Sequence, residues 1–274
     1  SLAPTPAMPP RQLKLHRHPA SKPSARPPLL FVHGAYTNAT GWQLNFIPYF
    51  NARGYDCFAL DLSGHGESEG RDVLDSFGLA DYADDLARAV AELPAEPVLI
   101  GHSMGTLVVQ RYLAKAHAAG VALLAPVPPT GTGGSASRLA LLQPDLSTEL
   151  PKVIAGHPDE HSLRVMAEVY FSPDMPHRDV LQFMPMIQAE SEHAVAEMVA
   201  LPFMPAGRRP DIPALVMGGG EDAVFLASML FFTALPWKAR QVVIPRAGHM
   251  LMLDPQWPQA AAALGDWLDT LPDA

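Results

Sequence analysis

Pro97-Val98-Leu99-Ile100-Gly101-His102-Ser103-Met104-Gly105 runs from an apolar stretch into a Gly-x-Ser-x-Gly turn, and residues 106–118 behind it read as a helix. A strand that turns this sharply into a helix holds its apex residue in a strained conformation, and side chains two positions to either side would clash. Gly101 and Gly105 meet that demand. The Ser103 hydroxyl is thereby lifted above the sheet, within reach of a histidine and beside the first amides of a helix, which favour an anion. The rest of the chain is read for the groups that such a serine needs.

Short apolar runs at 29–33, 55–60, 98–100, 121–125, 214–217 and 241–244 alternate with helical patterns. That alternation predicts an α/β fold, a mostly parallel central sheet with helices on both faces. In one helical pattern Leu79, Tyr82, Ala83, Leu86, Val90 and Leu93 share a face. Ligands in such sheets sit beyond the carboxyl ends of the strands, where Ser103, Asp222 and His249 all fall. Ahead of the first run, prolines at 4, 6, 9, 10, 19, 23, 27 and 28 exclude a helix and predict an extended arm over residues 1–28, with 12–16 as its candidate strand. Between 129 and 205 the alternation gives way to a Gly-rich loop and methionine-bearing helical stretches. The reading is therefore a core over 1–128, a helical lid inserted at 129–205, and the second part of the core at 206–274.

Six of the chain's 12 methionines, Met166, Met175, Met184, Met186, Met198 and Met204, lie in that insertion with Tyr170, Phe171, Phe183 and Phe203. Two readings stand side by side: an adaptable apolar pocket, since methionine repacks around varied shapes, or the insertion's own small core. On the first, Met166, Tyr170, Phe171, Phe183 and Met184, with Tyr36 from the core, are the expected substrate contacts.

With 274 residues, 48% of them hydrophobic, the chain can bury one large core. A net charge of −9 argues against nucleic acid and anionic membranes as partners. A neutral or apolar small molecule fits better, with the protein a monomer or homodimer. The single cysteine, Cys57, excludes an intramolecular disulfide and a cysteine-rich metal site, and its place in a strand-like run predicts core packing. No apolar run reaches the ~18 residues of a membrane span. No basic stretch leads into a long apolar one either, so a cytoplasmic protein is expected, with an upstream signal segment left open. His157 and His161 are four apart, but Pro158 between them and the lack of a third ligand favour a solvated turn over zinc.

A serine hydroxyl is a poor nucleophile until a neighbouring base takes its proton. His249, in the loop 246–250 after the last predicted strand, fits that role. Its tautomer needs a carboxylate to fix it, and Asp222, following strand 214–217 through a glycine turn, emerges at the same sheet edge. Glu221 and Asp254 are the rival acids. Glu221 is expected to point away from its neighbour's direction, and Asp254 to sit in a turn leading to the closing helix, 257–271. His102 is too constrained by the turn to act as the base and is expected to pack or hydrogen-bond nearby; His33 is expected to order its own loop. For a tetrahedral oxyanion the expected donors are the amide of Met104, next to the serine, and that of Ala35 in the loop 33–36. No metal or cofactor is called for.

The chain resembles the α/β-hydrolase family, lid-bearing branch, from about Leu29 onward. The resemblance rests on Phe31-Val32-His33-Gly34 with Trp42 downstream, Asp61-Leu62-Ser63-Gly64-His65-Gly66-Glu67-Ser68, Gly101-His102-Ser103-Met104-Gly105, Gly220-Glu221-Asp222 and Gly248-His249. It implies a serine hydrolase similar to esterases and lysophospholipase-like enzymes, with 61–68 as a structural turn and no catalytic part for His65. A serine rather than an aspartate at the elbow disfavours epoxide hydrolase and haloalkane dehalogenase chemistry. Cleavage of a small to medium carboxylic ester is the leading expectation. The same triad also serves thioesterases, lactonases, amidases, carbon–carbon bond hydrolases and perhydrolases, and a non-catalytic ligand-binding protein of this fold is the alternative outside enzymes. Two features depart from the pattern: Thr106 stands where many lipases carry a second glycine, and the proline-rich arm is short where relatives often have a complete hairpin.

Overall fold

The computed structural model describes residue 3 and residues 10–201 and 209–274. Strands without polar alternation pair stably only where both sheet faces are covered, and here the strands form the centre of the molecule. They are β1 (Leu15–His18), β2 (Leu29–Val32), β3 (Cys57–Leu60), β4 (Val98–His102), β5 (Gly120–Leu124), β6 (Ala214–Gly219) and β7 (Arg240–Ile244), in the spatial order β1-β3-β2-β4-β5-β6-β7. Only β1 is antiparallel. β2 lies between β3 and β4, so that Leu29 faces Cys57 on one side and Val98 on the other.

Successive β2 side chains enter opposite layers of the core. Leu29 and Phe31 join the layer of α1 (Thr40–Gln43), α2 (Phe46–Asn51) and the C-terminal helix, whereas Leu30 and Val32 join the layer of α3 (Leu79–Ala91) and α4 (Met104–Leu113). Between β5 and β6 stand α5 (Gly133–Leu142), α6 (Leu146–Ile154), α7 (Glu160–Tyr170), a 3-10 segment (His177–Met186) and α8 (Glu192–Val199). After β6, α9 (Leu230–Trp237) packs on the α3–α4 face and α10 (Trp257–Leu268) on the other. Among the described residues no helix is long and apolar enough to cross a membrane.

The mostly parallel sheet and the order of its elements agree with the sequence reading; the element ends need correction. The arm contributes a strand at Leu15–His18 rather than 12–16, because residues 12–14 are bonded to the 61–69 turn instead: Gln12 O accepts from Glu69 N and Lys14 O from Asp61 N. β4 runs on to His102, and α4 stops at Leu113, short of 118. The last helix ends at Leu268 rather than 271. Val90 and Leu93 are only half-buried, since α3 ends at Ala91. Phe203, Met204, the prolines at 4, 6 and 9 and the 205/206 boundary lie outside the described residues. Cys57 is buried in β3.

Leu86 is fully buried beneath α3. Leu86→Ala should cost about 2–5 kcal/mol through lost burial and a residual cavity, read as a lower urea midpoint at unchanged slope.

Candidate active site

The elbow is built from backbone crowding. Ser103 sits between β4 and α4 with φ 53° and ψ −119°, a left-handed conformation that a serine adopts only under constraint. A Cβ on Gly101 would lie 2.6 Å from the Gly105 carbonyl oxygen, and one on Gly105 would run into the Val32 and His33 carbonyls. Ser103 N donates to Leu124 O (3.0 Å), tying the turn to β5. Thr106, where a glycine pattern would continue, donates its hydroxyl to the Ser103 carbonyl at 2.6 Å and adds a bond at the turn.

Three side chains separated widely in sequence meet above this turn. His249 Nε2 lies 3.2 Å from Ser103 Oγ, within hydrogen-bond reach, while Nδ1 lies 2.9 Å from Asp222 Oδ2. The second Asp222 oxygen accepts from the amides of Val224 (2.8 Å) and Phe225 (2.9 Å), so both oxygens of this buried carboxylate are held. The rival acids take other parts. Glu221 is exposed. Asp254 is fully buried and accepts from the amides of Gly248, Ser172 and Gln256, organising the histidine loop from behind.

His102 donates Nε2–H to the His249 carbonyl at 2.8 Å, and burial, with His249 nearby, pushes its pKa down to about 3. His33 donates Nδ1–H to Gly34 O and accepts from Leu62 N at Nε2; burial and the neighbouring His65 push it down to about 4. Both rings are therefore neutral at pH 7. His157 and His161 are exposed, the latter bonded to Asp145. His16, Asp61 and Glu67 bring ligand atoms within 4.8 Å of one another. Asp61 there already accepts from His16 and the Ala39 and Glu67 amides, which makes the group a hydrogen-bonded node.

The loop after β2 passes directly over the elbow. A Cβ on Gly34 would stand 3.0 Å from His102 O and 3.1 Å from Ser103 Cβ, tighter than most side chains accept without a shift. Among the described residues neither the Ala35 nor the Met104 amide is engaged in a hydrogen bond, and Met104, as the first residue of α4, has no acceptor one turn earlier in its helix. Ser103 and His249 open into an apolar cavity of about 230 Å³. Tyr36, Met166, Tyr170, Phe171, Phe183 and Met184 all line it. Burial pushes the Tyr36 and Tyr170 phenols up, so both are neutral. Met166, Phe171, Phe183 and Met184 also belong to the buried core, as does Met175, which does not line the cavity.

The pattern that defines the Alpha/beta hydrolase family matches residues 29–260. The chain belongs to that family. A non-heme haloperoxidase of Rhodococcus erythropolis is 36% identical over 106 residues, 37% of this chain and 38% of that protein. The dihydrolipoyllysine-residue acetyltransferase component of an acetoin cleaving system from Pseudomonas putida is 28% identical over 246 residues, 83% of this chain. The chain spans only 60% of that protein's length. Among solved structures, an esterase from Thermogutta terrifontis has a TM-score of 0.70 at 23% identity, covering 94% of this chain and 93% of that one. A bromoperoxidase from Bacillus anthracis has a TM-score of 0.71 at 16% identity, covering 95% and 96%. At these identities the two structures show a common fold.

Within this hydrolase-family fold, the sequence reading missed a second buried cluster beside the site. His65 Nδ1 lies 2.9 Å from Ser63 O and Nε2 2.9 Å from Glu190 Oε1, so both ring nitrogens face an acceptor. Glu190 also accepts from Tyr82 Oη (2.7 Å) and Ser191 N (2.8 Å). Burial opposes charge on His65, but the Glu190 carboxylate outweighs it and holds the imidazole above its ordinary value. Burial likewise pushes Glu190 up, and the bonds from His65, Tyr82 and Ser191 bring it below the usual carboxyl value. The polar run Gln188-Ala189-Glu190-Ser191-Glu192 carries no local signal of a buried carboxylate.

A raised imidazole stabilises the fold below its ordinary pKa of 6.5 and loses that contribution as pH climbs through the raised value. A lowered carboxyl stabilises it above its ordinary 4.5 and loses that contribution as pH falls through the lowered value. The pair therefore contributes most between 4.5 and 6.5. The urea-midpoint gap between wild type and His65→Gln should be widest near about pH 5.5 and narrower near about pH 9.

Proposed function

We propose that this protein is a serine hydrolase that cleaves carboxylic esters of small to medium apolar substrates through an acyl-serine intermediate. The observation that carries the reading is the relay from Ser103 Oγ to His249 Nε2 (3.2 Å) and from His249 Nδ1 to Asp222 (2.9 Å), opening into an apolar cavity. Ser103 Oγ attacks the ester carbonyl carbon as its proton passes to His249 Nε2. Asp222, anchored by two backbone amides, stabilises the imidazolium and keeps the ring in its orientation. The carbonyl oxygen becomes an oxyanion held by the Ala35 and Met104 amides; one such donor is worth about 3 kcal/mol. Collapse breaks the ester C–O bond, and the alcohol leaves with the proton from His249. Water, deprotonated by the same nitrogen, then attacks the acyl carbon; the C–Oγ bond breaks, Ser103 Oγ takes the proton back from His249, and the acid leaves.

Residues 129–205 serve in this reading as the lid that shapes the acyl site, with Met166, Tyr170, Phe171, Phe183 and Met184 facing the substrate and Tyr36 opposite them. Methionine and phenylalanine walls reward apolar area at about 0.8 kcal/mol per methylene, or about fourfold in kcat/KM. The haloperoxidase relative, 36% identical over 106 residues, favours a second reading in which the same serine serves peroxide chemistry.

With p-nitrophenyl esters of graded acyl length, wild type should favour hexanoate or benzoate over acetate, and Ser103→Ala should lose at least about a thousandfold in turnover. Equal rates across acyl lengths would remove the acyl-pocket assignment. Turnover surviving in Ser103→Ala would remove the nucleophile. Adding hydrogen peroxide and bromide to the same assay reads out the second activity.

A further inference from the structure

The Ala35 N–H belongs to the same rigid peptide unit as the Gly34 carbonyl, so whatever holds that carbonyl aims the amide. Two groups hold it: His33 Nδ1–H at 2.8 Å and the Thr37 hydroxyl at 3.1 Å. His33 can donate there only as the Nδ1–H tautomer, and its Nε2, accepting from Leu62 N, enforces that tautomer. The ring packs 4.9 Å from the ring of His65, and His65 is bonded to Glu190, a residue of the insertion. Burial, and after it the neighbouring His65, lowers the His33 pKa to about 4.

A second line runs from the insertion to the same loop. Gln188 N donates to Tyr36 O at 2.8 Å, and Tyr36 is itself held at φ 64°, a conformation that costs energy in a tyrosine. The Gln188 side-chain oxygen accepts from Asn38 Nδ2 and Gly66 N, both at 3.0 Å, joining loop 33–38 to turn 61–68. Residues 187–191 thus touch the oxyanion loop through its backbone at one end and through His65 and His33 at the other. Glu190 is fully buried, with every recorded bond directed at the core or its own neighbour.

We propose that the insertion, through Gln188 and Glu190, sets the direction of the Ala35 N–H and so positions the oxyanion hole. Both are positioning residues: neither touches the reacting atoms. The inference rests on the serine hydrolase reading above and adds to it that residues 187–191 are part of the catalytic machinery's support rather than only a wall of the pocket.

The test compares wild type, Glu190→Gln and Gln188→Ala on p-nitrophenyl hexanoate and on an alkyl trifluoromethyl ketone, whose tetrahedral adduct with serine carries the oxyanion. Active sites are counted by end-point titration with a fluorophosphonate. Gln188 is half-buried, so Gln188→Ala provides a folded variant should Glu190→Gln fold poorly. A misaimed donor lowers kcat per active site about 10- to 100-fold with KM within about twofold, and weakens the ketone by the same factor. A purely structural role would reduce the number of titrated sites while leaving kcat per site and the ketone affinity unchanged, and that result overturns the inference alone. Wild type that neither hydrolyses the ester nor binds the ketone overturns the hydrolase reading and this inference together.

Discussion

Ser103 is held at φ 53° against its own preference, and much of the surrounding architecture is the means of holding it there. Such strain costs on the order of 1–3 kcal/mol and persists only where neighbours over-determine it. Here β2 presses its terminal carbonyls against Gly105, β5 supplies the acceptor for the Ser103 amide, and Thr106 bonds the Ser103 carbonyl from within the helix. None of these restraints can be moved alone. The central position of β4, with β2 on one side and β5 on the other, lets both neighbours act on the turn at once.

Around that point the helical segment between β5 and β6 takes hold of two loops rather than resting on them. Its residues 170–174 meet the histidine loop: Tyr170 O accepts the His249 and Met250 amides, Ser172 N shares Asp254 with Gly248 N, and Asp174 pairs with Arg246. Its residues 187–191 meet the loop after β2 and the 61–68 turn. Asp254 and Asp222 are both buried carboxylates, and they differ in their partners. The Asp254 oxygens are consumed by three backbone amides, whereas Asp222 keeps one oxygen for the imidazole.

The sheet and the elbow were legible in the sequence because their signals are local: apolar runs of strand length, and glycines at a spacing set by a steric clash. The positions of Asp222 and His249 were legible for a related reason, since each follows a strand and strands of a parallel sheet deliver their ends to one edge. Tertiary pairing was not legible. The arm's strand moved because residues 12–14 found carbonyl and amide partners in the 61–69 turn, which no propensity encodes. Glu190 lay hidden for a similar reason, since a carboxylate in a polar stretch looks solvated until the partner that neutralises it, 125 residues away, is known.

Chain order gives the site a temporal character. Ser103 and His249 are 146 residues apart, with the helices between β5 and β6, and β6 itself, between them. As the polypeptide leaves the ribosome, the elbow is made well before the loop that would take its proton, and the restraints from Asp254 come later still. A nascent chain that stops short of His249 therefore carries the elbow without the ring nitrogen that stands 3.2 Å from Ser103 Oγ in the folded protein. On the serine hydrolase reading proposed above, the reactivity of the serine waits for the completed fold.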